Sequence, residues 1–133
     1  CASAEVAKAF TPGSHGTTFG GSPVSCAASL AEIGELLDRD LAGNAKKMGA
    51  YFMEKLKMLP HIKEVRGQGL LVGVEFDETV NATDVKHKCF DKKLLITAIG
   101  SSVIRMVPPL ILTKEHCDKA AEIIREAVEE LTA

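Results

Sequence analysis

The chain has 133 residues, which is enough for one compact domain with a single hydrophobic core. Hydrophobic residues make up 46% of it and charged residues 26%, as in ordinary globular proteins. A formal net charge of -2 gives no basic field for nucleic acid, and no apolar run approaches the roughly 20 residues that cross a bilayer, so both kinds of partner are disfavoured.

In chain order, the first informative segment is His15-Gly16-Thr17-Thr18-Phe19-Gly20-Gly21-Ser22-Pro23, which has the composition of an anion-binding loop. Its glycines let main-chain N–H groups approach a ligand, and Thr17 and Thr18 add hydroxyl donors. Ser22 and Pro23 predict an N-cap and a first helical residue, which would bring the positive end of a helix dipole to the same place. The alternative is a plain turn, because neither G-x-x-x-x-G-K-[ST] nor G-x-G-x-x-G is present. His15 has two interpretations, a hydrogen bond that positions the loop or an exposed turn residue.

Apolar residues keep helical spacing from Pro23 to Leu59, which predicts a long helical region bent near Gly43-Asn44. From Leu70 to Phe76 they alternate, which predicts the first strand of a sheet with one buried face. Arg66 precedes a bend at the entrance of this strand, which favours a structural role over carboxylate binding. Glu75 and Asp77 could form an acid/base pair, but alternation places both on the polar side of the strand, which favours a solvated face.

The rest of the chain predicts a helix that begins after Asn81 or Thr83 and two strands, Leu94 to Thr97 and Val103 to Val107. Thr113 is the predicted N-cap of a final helix with an apolar stripe at Cys117, Ala120, Ala121, Ile124, Val128 and Leu131. These elements predict an α+β fold, in which helices cover one face of a small, mostly antiparallel sheet.

Arg105 is the candidate binding residue of the last predicted strand. The two-residue period of a strand puts it on the face opposite Ile104 and Met106. Its planar guanidinium can hold a carboxylate through two parallel hydrogen bonds, as recognition of an amino acid requires. The alternative is an arginine paired with a surface acid of the same chain.

The cysteines are widely spaced, with no C-x-x-C pair and no secretory signal, which favours free thiols in a reducing cytoplasm. They are Cys1, Cys26, Cys89 and Cys117. His87-Lys88-Cys89 and His116-Cys117 do not match a usual zinc spacing, so no metal site is predicted.

Three segments together resemble the class III aminotransferases, which bind pyridoxal phosphate and have the fold-type I architecture. The loop at residues 15–23 resembles their phosphate loop. RGQGLLVGVEF, from Arg66 to Phe76, resembles the strand that opens their small C-terminal domain, and VIRMVPPL, from Val103 to Leu110, resembles their substrate-carboxylate strand. Within the family the pattern is most similar to the acetylornithine group, followed by the ornithine, 4-aminobutyrate and other ω-amino acid groups.

The resemblance implies a C-terminal part of such an enzyme. Residues 1–22 would be a remnant of the large domain with the phosphate loop, residues 23–59 a linking helical region, and residues 60–133 the small α+β domain. By resemblance, Thr18, supported by Thr17, contacts the cofactor phosphate of the other subunit of a homodimer, and Arg105 anchors the substrate carboxylate. Ser22 replaces the asparagine usual in the family.

The resemblance also implies pyridoxal phosphate as the cofactor of the full-length enzyme, with amino-acid and 2-oxo-acid substrates. The Schiff-base lysine of the family lies upstream of the phosphate loop. Lys8, the lysine that precedes the loop here, lacks the glycine-rich surroundings of that residue and is interpreted as a surface side chain. No catalytic residue is therefore assigned, and the chain alone is expected to be inactive. The alternative is a stand-alone binding or dimerisation module.

Overall fold

The computed structural model describes residues 2–133, and two compact units divide the chain after Glu35. The elements, in chain order, are α1 (Ala4–Ala7), α2 (Pro23–Asp38), α3 (Leu41–Leu56), β1 (Ile62–Gln68), β2 (Leu71–Phe76), α4 (Ala82–Asp91), β3 (Thr97–Ile99), β4 (Val103–Met106) and α5 (Lys114–Thr132).

The start of α2 is where the sequence predicts it. The backbone N–H of Ser25 donates to the Ser22 hydroxyl oxygen at 3.3 Å, and the N–H of Cys26 donates to the Ser22 carbonyl at 2.9 Å. Ser22 is thus the N-cap and Pro23 the first helical residue. Of the described side chains of α2, none is buried.

The long helical region is two helices, and the predicted bend at Gly43-Asn44 is wrong by a few residues. The break lies at Asp40, whose backbone is left-handed with φ 44° and whose carboxylate accepts the Gly43 N–H at 3.2 Å. A short acidic side chain that bonds nearby backbone groups competes with helix continuation, so a new helix begins after Asp40. Gly43 and Asn44 lie inside α3.

The sheet has four antiparallel strands in the order β1-β2-β4-β3. The sequence analysis did not predict β1, which is charged and largely exposed and has only Ile62 and Val65 half-buried. An edge strand of this kind shows no clear alternation for a pattern to detect. Gly69, with φ 54°, and Leu70 form the tight turn between β1 and β2.

The third strand begins later than predicted, at Thr97 rather than Leu94. Lys93 adopts a left-handed conformation with φ 68°, and the Leu94 N–H donates to the Cys89 carbonyl at 2.8 Å, which closes the end of α4. Leu94 and Ile96 then pack against the core without a strand partner. Their alternating burial resembles that of a strand, which explains the wrong prediction.

Helices α3, α4 and α5 cover one face of the sheet, which confirms the predicted α+β fold. The core between them is almost fully excluded from solvent and includes Phe52, Leu56, Val72, Val74, Val85, Ile104, Ile124 and Val128. We call the opposite side of the sheet, which these helices leave uncovered, the open face. Among residues 2–133, no helix has the length and apolar character needed to cross a membrane.

Candidate functional site

Arg105 lies on the open face, as the alternation of β4 predicts. Its neighbours Ile104 and Met106 are 0% and 6% exposed, whereas Arg105 itself is exposed. In the sheet, Arg105 is aligned with Gly73 of β2 on one side and with Thr97 of β3 on the other. Within residues 2–133 the Arg105 guanidinium has no hydrogen bond and no ion pair. The alternative of a surface acid as its partner is therefore not realised in the described chain.

Arg66 lies on the same face as Arg105, but its guanidinium is paired with acids of this chain. Its guanidinium donates to Glu64 and to Glu75, both at 2.7 Å, and Lys63 donates to Glu75 at 2.8 Å. Hydrogen bonds from Lys63 and then from Arg66 lower the pKa of Glu75 below its usual value. Arg66 lies inside β1 rather than at a strand entrance, and its Nη1 is already bonded to two carboxylates of this chain.

The cleft that Arg105 lines has cations and no acid among its described residues. Arg105 lines a cleft of about 670 Å³ between the ends of β3 and β4 and helix α5. Lys93 and Lys119 are the other cations at its edge, and of the described residues that line it none is acidic. The rest of the lining is mainly apolar, from Phe52, Leu95, Val107, Ile111 and Ile123 among others. A carboxylate at Arg105 would meet no like charge from this lining.

The phosphate-loop candidate belongs to the first unit. Thr17 and Thr18 are exposed, and their hydroxyls make no hydrogen bond to any described residue. Gly21 is left-handed with φ 77°, just before the Ser22 cap of α2. Two unpartnered hydroxyls beside the positive end of a long helix are the donors that a phosphate needs, so these residues fit the phosphate of the family's cofactor. His15 is exposed, and its two interpretations stay open.

The sequence analysis missed one polar cluster. Both the backbone N–H and the hydroxyl of Thr79 donate to Asp77, at 2.9 Å and 2.5 Å, and His61 Nδ1 lies 3.1 Å from the other Asp77 oxygen. The hydrogen bonds from Thr79 contribute most to the lowered pKa of Asp77. Asp77 thus follows β2 and holds a turn, with its side chain 43% exposed, whereas the paired side chain of Glu75 is 20% exposed. The left-handed backbone of His61, φ 60°, marks this turn, although its residue type alone gives no signal for it.

The described cysteines are free thiols. Cys26 is an exposed free thiol, and Cys89 and Cys117 are buried free thiols. Burial raises the pKa of Cys89 to about 11. Cys1 lies outside the described residues.

A family model of the class-III aminotransferases matches residues 1–128. Ornithine aminotransferase 2 of Staphylococcus aureus is 49% identical over 123 residues, which are 91% of this chain and 31% of that protein. A solved ornithine aminotransferase of Toxoplasma gondii, described with partial occupancy of PLP at its active site, has a TM-score of 0.80 and 35% identity, over 96% of this chain and 32% of that one. A solved acetylornithine aminotransferase of Elizabethkingia anophelis has a TM-score of 0.78 and 30% identity, and the match covers 92% of this chain and 34% of that one.

The chain spans about 31% of the length of the curated relatives that it matches. The family expected from the three sequence segments is confirmed, because the match covers nearly the whole chain. Both of the expected enzyme names, ornithine and acetylornithine aminotransferase, occur among the similar proteins. The chain therefore belongs to the class-III aminotransferases, a family of enzymes that depend on pyridoxal phosphate.

Proposed function

We propose that the protein containing this chain transfers an amino group between an amino acid and a 2-oxo acid. The observation that carries this proposal is the unpaired Arg105 on the open face of the sheet, in the strand that resembles the carboxylate strand of the family. Both kinds of substrate have an α-carboxylate, and a planar guanidinium free of other acids binds that group in a fixed orientation.

The donor that we propose is N-acetylornithine or ornithine, with 2-oxoglutarate as the acceptor. The segment pattern favours N-acetylornithine and hence a step of arginine biosynthesis, whereas the similar Staphylococcus proteins are named for ornithine. In both donors the reacting amine lies at the far end of an aliphatic chain from the α-carboxylate, whereas the α-carboxylate of 2-oxoglutarate is bonded to the reacting carbon. We therefore assign Arg105 to the α-carboxylate of 2-oxoglutarate and of the amino acid formed from it.

Thr17 and Thr18 would hold the phosphate of pyridoxal phosphate, together with the start of α2. When bound, this cofactor supplies the electron sink for the transfer. Following the family resemblance, we propose that Thr18 serves the site of the other subunit, so that the active protein is a homodimer. A cytoplasmic location and the division into residues 1–22, 23–59 and 60–133 stay predictions.

Substitution of Arg105 in the full-length enzyme tests the proposal. Arg105→Gln removes the charge and the paired donors, and kcat/KM for 2-oxoglutarate should fall about 100-fold, the loss expected for two charge-assisted hydrogen bonds. Arg105→Lys should recover only part of this loss, since an ammonium group cannot form the paired contact. Arg125→Gln is the matched control, because Arg125 lies on α5, pairs with Glu122 and Glu129, and does not line the cleft at Arg105.

Unchanged kinetics in Arg105→Gln would contradict the assignment. The same enzyme preparation, assayed with ornithine, N-acetylornithine and 4-aminobutyrate in parallel, identifies the donor. A full-length protein that binds these amines without transferring the amino group would favour the binding-module alternative.

A further inference from the structure

Gly73 occupies the position between the two arginines of the open face. The ladder aligns Arg66 of β1 with Gly73 of β2, and Gly73 with Arg105 of β4. Since neighbouring strands lie about 4.8 Å apart, the Cα atoms of Arg66 and Arg105 are separated by roughly 10 Å, with only a hydrogen atom on Gly73 between them.

Local folding does not require a glycine at this position. Gly73 lies within β2 and is not among the residues with positive φ. A Cβ atom there would meet only the carbonyl oxygen of Arg66 at 3.8 Å and its Cγ at 3.9 Å, which are ordinary van der Waals distances. Glycine in a strand interior lowers stability and is typical of places where a ligand approaches the backbone.

We propose that Gly73 is a specificity-determining residue, whose missing side chain leaves room on the open face for the carboxylate that Arg105 holds. This inference rests on the proposed function of Arg105. A side chain longer than a methyl group at this position would stand beside Arg105 on the same face and occupy the space of the carboxylate.

The charges around Gly73 are compatible with an anion. The acids nearest to it in β1 and β2 are Glu64 and Glu75, and both accept hydrogen bonds from Arg66. Glu75 also accepts one from Lys63. On one side of Gly73, Arg66 therefore compensates the negative charge of these acids. On the other side, Arg105 remains available to bind an anion.

The test compares Gly73→Leu with Gly73→Ala in the full-length enzyme, with glutarate as a probe that binds without reacting. Gly73→Leu should raise the inhibition constant of glutarate and the KM for 2-oxoglutarate about tenfold, as expected for loss of a charge-assisted hydrogen bond. Gly73→Ala should raise both by a smaller factor, about twofold, because a methyl group enters less of the space beside Arg105 than a leucine side chain does. Leu71→Phe, which adds bulk to an exposed side chain of the same strand, should change neither.

The thermal unfolding midpoint of the 133-residue chain is the second readout, and Gly73→Leu should not lower it. A lower midpoint would mean that packing requires the glycine, and the inference would be wrong. Gly73→Leu with normal glutarate binding would also overturn it, provided that Arg105→Gln loses that binding. If Arg105→Gln itself binds glutarate normally, the proposed function of Arg105 has failed, and that result is separate from any effect at Gly73.

Discussion

Gly49 of α3 packs directly against the carbonyl group of Gly69 in the turn between β1 and β2. A Cβ atom on Gly49 would overlap that carbonyl carbon and oxygen, which are backbone atoms and cannot rotate away. We expect Gly49→Ala to lower the free energy of unfolding by about 1–3 kcal/mol, the usual cost of overpacking. Urea unfolding of the 133-residue chain measures this change.

Gly73→Ala is the control for that measurement, since it makes the same chemical change in the same unit. Its methyl group has room, and alanine in a strand costs less conformational entropy than glycine. It should therefore be neutral or slightly stabilising. Equal destabilisation by the two variants would contradict the close approach of α3 to the turn.

The cysteines should differ strongly in reactivity. Cys26 is exposed, whereas Cys89 and Cys117 are buried, and burial raises the pKa of both buried thiols. At about pH 8, iodoacetamide should label Cys26 rapidly and the two buried residues only after unfolding, because the thiolate is the reacting form. Mass spectrometry of the separate peptides measures each rate, and rapid labelling of Cys89 in the native chain would contradict its burial.

The ion pairs of Glu75 should contribute to stability in a pH-dependent way. Its pKa in the folded chain is lowered below its usual value, mainly by the hydrogen bond from Lys63 and then by that from Arg66. The contribution is therefore fully present above that value and is lost as the pH falls through the folded pKa. Glu75→Gln should be less stable than the native chain at neutral pH, and the difference should shrink on acidification.

Chemical unfolding across the acid range measures this difference. Glu54→Gln removes a more exposed pair with Lys57, so its effect at any pH should be smaller. A Glu75→Gln variant whose stability parallels that of the native chain down to acid pH would refute the linkage.

The cap of α5 should have a measurable effect on stability. The Thr113 hydroxyl oxygen accepts the His116 N–H at 3.5 Å, and the Thr113 N–H donates to His116 Nδ1 at 3.3 Å. Thr113→Ala removes the hydroxyl and should cost about 1 kcal/mol, whereas Thr113→Ser keeps it and should cost less. The urea midpoints of the two variants test this order, and equal midpoints would show that the cap contributes nothing.

The sequence predicts those features that depend on residues close together in the chain. Ser22, Asn81 and Thr113 each cap the helix that follows them, because a side-chain acceptor before a helix is a short-range feature. The side of β4 that carries Arg105 follows from alternation alone. These are also the features on which the candidate site depends.

The features that sequence reasoning misses depend on distant contacts. Strand β1 exists because β2 pairs with it along one edge, and its own residues show little periodicity. The start of β3 is set by pairing with β4 and not by the apolar residues that precede it. Whether an arginine is paired also depends on which acids the sheet brings close to it. Arg66 has such acids and Arg105 has none among the described residues, and the spacing of residues along the chain does not reveal this difference.

The two sides of β4 are subject to different physical constraints. Ile104 and Met106 are constrained by the interior, while Val103 and Arg105 face outward and can be exchanged with little effect on folding. Residues on the outward side can therefore be changed to alter ligand preference without loss of the fold. A library that randomises only the outward positions of β2 and β4 should consequently yield mostly folded proteins with altered ligand choice.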